Sequence, residues 1–125
     1  MIKSMELGQY YGLKYQTQTL DTLIDDFNLT IIHFEGSKAE SKILGYYEKN
    51  TIYLNQQAIH KVNQLMHLEL EDLVIAHEFF HHLEIEKGLK EIHTYNSEIS
   101  AEHFAKTYLS LSFDPSMINN LLKTL

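Results

Sequence analysis

The chain has 125 residues with no cysteine, 17 acidic and 10 basic side chains, and a formal charge of −7. That length holds one domain, the missing thiols exclude disulfides and thiolate metal ligands, and the negative balance without clustered lysines argues against a nucleic-acid partner. No uninterrupted apolar run approaches the roughly 20 residues that span a bilayer, and MIKSMELGQYYG lacks a signal-peptide h-region, so a cytoplasmic protein without a membrane partner is expected.

In TLDTLIDDFNL (Thr19 to Leu29), Leu20, Leu23, Ile24 and Phe27 draw one apolar stripe, which predicts an amphipathic helix. TIIHF (Thr30 to Phe34) is short and β-branched and reads as a strand. After the polar break EGSKAES come two more candidate strands, KILGYY and TIYLN, separated by EKN, which together predict an antiparallel hairpin. Gln56 to Leu68 is weakly helical, and Glu69 to Lys87 strongly so, with acids at its start and Lys87 and Gly88 as stop signals. A further helix is expected to begin at Asn96 or Ser97 and run through SEISAEHFAKTYLSL. A last one should follow Asp114 as N-cap and Pro115 at the first helical position. The fold class expected is α+β: a helix-rich single domain over residues 1–125, with a small antiparallel sheet above the helix that holds VIAHEFFHHLE.

That stretch, residues 74 to 84, sets polar groups among apolar ones. His77 and His81 are four apart, so on a helix their imidazoles share a face and can converge on one ion. Glu78 is rotated by roughly 100° from His77 and is free to act beside that ion rather than on it. This HExxH spacing suits Zn²⁺ held by two neutral imidazoles, with Glu78 as general base. A catalytic site wants a third protein ligand, and SEISAEHFA offers Glu98 and Glu102 on the next helix, brought back by a reversal near Gly88. Glu98 is assigned as ligand and Glu102 as the acceptor behind a ligand imidazole; spacing alone allows the exchange. His82 points off the ligand face, and Phe79 and Phe80 are candidates to line the site.

HEFFH followed by EISAEHFA resembles the ImmA/IrrE-type zinc metallopeptidases of mobile elements and stress-response systems, within the thermolysin-like architecture. GYYEKNTIYLN is similar to that family's glycine and I-x-hydrophobic-Asn strand, and the likeness covers roughly residues 20 to 110. It implies His77, His81 and Glu98 as ligands and Glu78 as general base, with Glu102 at the family's Asp/Asn position. Two departures stand out: Phe80 replaces the usual glycine before the second histidine, and YLSLSF replaces the LLMP ending, with Pro115 displaced.

The expected function is therefore zinc-dependent hydrolysis of a peptide bond. The resemblance implies a protein substrate such as a transcriptional repressor. Thr51, Ile52, Tyr53, Leu54 and Asn55 form the candidate strand for pairing with an extended peptide. Tyr95, His93 and His103 are candidate donors to the oxyanion. The alternative is a catalytically silent module of the same fold that relieves a repressor by binding it. A weaker third possibility is a structural zinc site, closed by His93 or His103 as fourth ligand.

Overall fold

The computed structural model describes residues 2–36, 43–66 and 70–118. Among the described residues, five α-helices, a short 3-10 helix (Leu89–Glu91) and a three-stranded sheet follow one another, the helices and strands as α1 (Ile2–Tyr15), α2 (Leu20–Asp26), β1 (Thr30–Phe34), β2 (Gly45–Glu48), β3 (Thr51–Asn55), α3 (Gln56–Met66), α4 (Glu71–Lys87) and α5 (Ser97–Tyr108). The helix-rich α+β class is as the sequence indicates. The start of the KILGYY strand, the end of the expected Gln56–Leu68 helix, the first residue of the expected Glu69–Lys87 helix and the end of the last expected helix fall on residues outside those described.

The sheet has the order β1-β3-β2. The expected hairpin is present: β2 pairs antiparallel with β3, Tyr46 opposite Tyr53 and Glu48 opposite Thr51, through a turn in which Lys49 and Asn50 both have positive φ (48° and 61°). That is the backbone twist a two-residue hairpin needs. The sheet is mixed rather than purely antiparallel, because β1 adds parallel to the other edge of β3, Ile31 opposite Ile52. A hairpin occupies only one edge of β3, and β1, entering from a separate connection, takes the other in the same direction as β3. Ile52 and Leu54 point inward from β3 with no exposure.

Asn55 closes β3 and is fully buried. Its Oδ1 accepts from the backbone N–H of Ala58, capping α3, and from that of Gly36, while its Nδ2 donates to the carbonyl of Ile43. One amide thus fixes the exit of β1, the entry of β2 and the start of α3.

Helix α4 runs through the middle of the molecule, and its apolar residues lie on nearly every side, as expected of a helix with neighbours all round. Glu71 and Asp72 begin it and Gly88, at φ 63°, ends it in the left-handed conformation. Phe79 and Phe80 are completely buried against Phe104 of α5. Neither lines the site as expected. Phe80, where the resembled family has glycine, fills the space between α4, α5 and Tyr11 of α1 and leaves the cleft wall untouched.

The N-terminal α1 was not anticipated. Ser4, Gly8 and Gly12 fall four apart on one face and are buried, and that face lies directly on α5. A Cβ on Gly8 would sit 2.2 Å from the carbonyl oxygen of Ser100 and 2.9 Å from the backbone nitrogen of Phe104. The contact is also hydrogen-bonded: Ser100 Oγ donates to the Ser4 carbonyl at 2.5 Å, and the Asn96 N–H donates to Ser4 Oγ at 2.8 Å. Asn96 in turn caps α5, its Oδ1 accepting from the Ile99 N–H. Beyond α5, Asp114 Oδ1 accepts from the Ser116 N–H, the cap expected there, and Pro115 opens a helical turn. Among the described residues no helix is long and apolar enough to cross a membrane.

Candidate metal centre

Helices α4 and α5 pack together, Phe79 and Phe80 against Phe104, with Ala101 and Ala105 of α5 fully buried, and the reversal after Gly88 brings the start of α5 beside the middle of α4. Close approach through small side chains is what lets a short acid on one helix meet imidazoles on the other. Potential ligand atoms of His77, Glu78 and His81 lie within 4.8 Å of one another. Glu98 reaches both histidines, Oε2 standing 3.1 Å from His77 Nε2 and Oε1 standing 3.2 Å from His81 Nε2.

These distances test whether the group fits zinc. Donor atoms held about 2.0–2.1 Å from a tetrahedral ion are about 3.3 Å apart. The separations of 3.1 and 3.2 Å are of that size, and both imidazoles present the same nitrogen, Nε2. The donor set of two nitrogens and a carboxylate, without thiolate, is that of open catalytic zinc sites. The residue types and their separations are ones that could hold the ion.

Electrostatics agree with a site built for a cation. Glu98 is held well below the usual carboxylate range, first by its hydrogen bonds to His77 and His81 and against some desolvation. His81 is pulled down by burial, but hydrogen bonds to Glu84 and Glu98 outweigh this and raise it to about 10. Glu84 and Glu98 thus both favour the protonated form of His81. Glu78 is nearly buried, and burial raises its pKa, opposed by the two histidines and assisted by Glu98 and Glu84.

The assignment of Glu102 behind a ligand imidazole requires correction. The acceptor at His81 Nδ1 is Glu84, 2.5 Å away and fully buried, one turn further along the same helix. Ser97 Oγ donates to the same Glu84 oxygen at 2.8 Å. Glu102 sits a turn beyond Glu98 on α5, lines the same cleft, and has its pKa raised by burial. The i, i+3 spacing of His81 and Glu84 was visible in the sequence as a signal for this contact, since such residues are neighbours on a helix.

A cleft of about 640 Å³ opens over these groups, lined by residues 43–49, by α4, by Glu98 and Glu102, and by Lys90, Pro115 and Ile118. None of the candidate oxyanion donors lines it. Tyr95 turns its hydroxyl into the protein beside Glu84, His93 is exposed on the loop before α5, and His103 is not among the residues lining the cleft. Donors on the cleft wall come instead from Tyr46, Lys49 and Lys90.

The candidate substrate strand also changes. Thr51, Ile52, Tyr53, Leu54 and Asn55 form the central strand, hydrogen-bonded on both sides, so β3 has no free edge. The edge beside the cleft is β2. The Asn55 N–H donates to the Leu44 carbonyl, which fixes the alternation. In that register Tyr46 bonds towards β3, while the backbone groups of Gly45 and Tyr47 point away from it. Gly45 has a packing reason as well, because a Cβ there would lie 2.6 Å from the Tyr53 carbonyl oxygen and 2.8 Å from Val74 Cγ1.

No family model matches this chain, nor does any curated protein or solved structure.

Proposed function

We propose that the chain is a small zinc-dependent metallopeptidase of the ImmA/IrrE type, with His77, His81 and Glu98 as metal ligands and Glu78 as general base. The observation that carries this reading is the convergence of two Nε2 atoms and both Glu98 oxygens at 3.1 and 3.2 Å beneath an open cleft.

When bound, zinc supplies Lewis acidity towards a carbonyl and lowers the pKa of water to about 7. Glu78, raised above the ordinary carboxylate range by burial, is suited to take a proton from water and return it to a leaving amine. An extended peptide would pair with the outward groups of Gly45 and Tyr47 on β2, its alternate side chains facing Leu73 and Val74. The substrate in this reading is a protein, and the resemblance points to a repressor.

One observation favours a second reading, a binding module of the same fold that regulates a repressor without cutting it: Tyr95, His93 and His103 all lie off the cleft wall. One experiment separates the two. Zinc-loaded protein and its Glu78→Gln variant are incubated with a proteome-derived peptide library, and cleavage is followed by mass spectrometry. Cleavage by the parent and a loss of 10²–10⁴-fold in the variant, at equal zinc content, support the peptidase. Stoichiometric zinc with no cleavage in either leaves the binding module, and a parent that takes up no zinc overturns the metal site.

A further inference from the structure

We infer that Glu84 is the residue that positions His81 for metal binding and, through the same carboxylate, docks the first turn of α5 that carries Glu98. The inference rests on the zinc reading above, and it concerns a residue that reading does not require.

Glu84 has no solvent exposure. A carboxylate buried in a core is expensive unless it is paired and hydrogen-bonded, and an apolar side chain of similar volume would pack there at less cost. Its contacts account for its presence. Oε1 accepts from His81 Nδ1 at 2.5 Å and from Ser97 Oγ at 2.8 Å. With Nδ1–H directed at Glu84, the opposite nitrogen of His81 is the one without a proton in the neutral ring, and that is the Nε2 facing Glu98 at 3.2 Å. Turning the ring over would put Cδ2 and Cε1 in the places of Nδ1 and Nε2 and break the contacts at both ends.

Ser97 and Glu98 are consecutive, so the contacts form a closed circuit. Glu98 touches His81, His81 touches Glu84, Glu84 accepts from Ser97, and Ser97 is joined to Glu98 by the chain. Movement of α5 away from α4 would therefore loosen the third ligand and the orientation of the second together. The other Glu84 oxygen, Oε2, is buried without a hydrogen-bond partner, and so is the hydroxyl of Tyr95. The two groups are neighbours: burial, and after it the Glu84 carboxylate, raises the pKa of the Tyr95 hydroxyl.

The test is zinc affinity, measured by competition with a chromophoric chelator, for the parent, Glu84→Gln, Glu84→Asp and Tyr95→Phe. Gln keeps the volume and removes the charge, whereas Asp keeps the charge and falls one methylene short of His81. Both should weaken zinc binding by about 10–100-fold while the helical circular dichroism of the metal-free protein is retained. Tyr95→Phe should weaken it less. In the zinc-loaded parent, ¹⁵N spectra should place the His81 proton on Nδ1. Unchanged zinc affinity in Glu84→Gln and Glu84→Asp, with only a lowered melting temperature, would make Glu84 a scaffold residue and overturn the inference. Should Glu84→Gln fail to fold, Glu84→Asp decides it. A parent without zinc affinity retires the metal reading itself, which is a different result.

Discussion

The hydroxyl of Tyr47 lies 2.7 Å from His82 Nδ1, tying the β2–β3 hairpin to the helix that carries the candidate ligands. The Glu86 carboxylate accepts from His82 Nε2–H, which leaves Nδ1 as an acceptor for the tyrosine hydroxyl. The same hydroxyl accepts from the Asn50 N–H, so one oxygen also braces the turn that holds Lys49 at positive φ beside the cleft. His82, the third histidine of HEFFHH, is therefore a core histidine that sets the height of the cleft roof. Tyr47→Phe should destabilise the fold by about 1–3 kcal/mol, because it leaves a buried imidazole nitrogen without its donor. Urea denaturation at neutral pH measures this, and an unchanged midpoint would show that the tie carries no load.

Helix α1 contributes no residue to the cleft lining, yet it packs on the helix that carries Glu98. Added bulk at Gly8 meets backbone atoms of α5, which cannot rotate away. Gly8→Ala should cost about 1–3 kcal/mol, the range for overpacked positions. Because the displaced partner is the helix that carries Ser97 and Glu98, zinc affinity should fall as well. A variant destabilised in thermal melts yet unaltered in zinc affinity would show that the two ends of α5 move independently.

Signals in the sequence located α4, α5 and the hairpin because each is marked by strong local chemistry. HEFFH has ligand spacing, Gly88 supplies a left-handed stop, Asn96 is a capping residue, and Lys49 and Asn50 fall between two β-rich runs. What the sequence hid is what depends on neighbours. α1 presents serine and glycine to α5 rather than large apolar residues, so its stripe does not look like a core face until α5 is beside it. The central place of β3 follows from β1 arriving on its far edge, a long-range pairing that no local pattern reports. For the same reason Thr51–Asn55 is the central strand and Gly45–Glu48 an outer one in the sheet. Tyr95 attracted attention as a hydroxyl near a metal motif, but burial against Glu84 decides which way that hydroxyl faces.

The raised pKa of His81 gives a pH signature to the metal-free protein. The folded value is about 10 against an ordinary 6.5, so the protonated imidazole contributes stability that is fully present below 6.5 and lost as pH rises through 10. Thermal melts of chelator-treated protein should therefore show a falling midpoint across that window. If His81 is a zinc ligand, the ion would require the neutral ring, so zinc binding at pH 8 should release protons, measurable by calorimetry in buffers of different ionisation enthalpy. A flat melting profile between pH 6.5 and 10 without metal would mean that Glu84 and Glu98 do not hold that proton.

Two glutamates on α5 face one cleft, and they should behave differently when removed. Glu98 sits against both imidazoles and is kept ionised by them, whereas Glu102 has its pKa raised by burial and shows no hydrogen bond to either ring among the described residues. Glu98→Ala and His77→Ala should each abolish stoichiometric zinc, measured by elemental analysis after dialysis against trace metal, because two protein donors hold the ion far more weakly than three. Glu102→Gln should retain one zinc per chain. In the parent, free zinc at 100 times its dissociation constant should add about 2.7 kcal/mol to stability, and a chelator should remove it, while Glu98→Ala should show no such difference. Retention of the ion by Glu98→Ala together with its loss from Glu102→Gln would exchange the two residues, and the first turn of α5 would have to shift by one helical turn for the site to form.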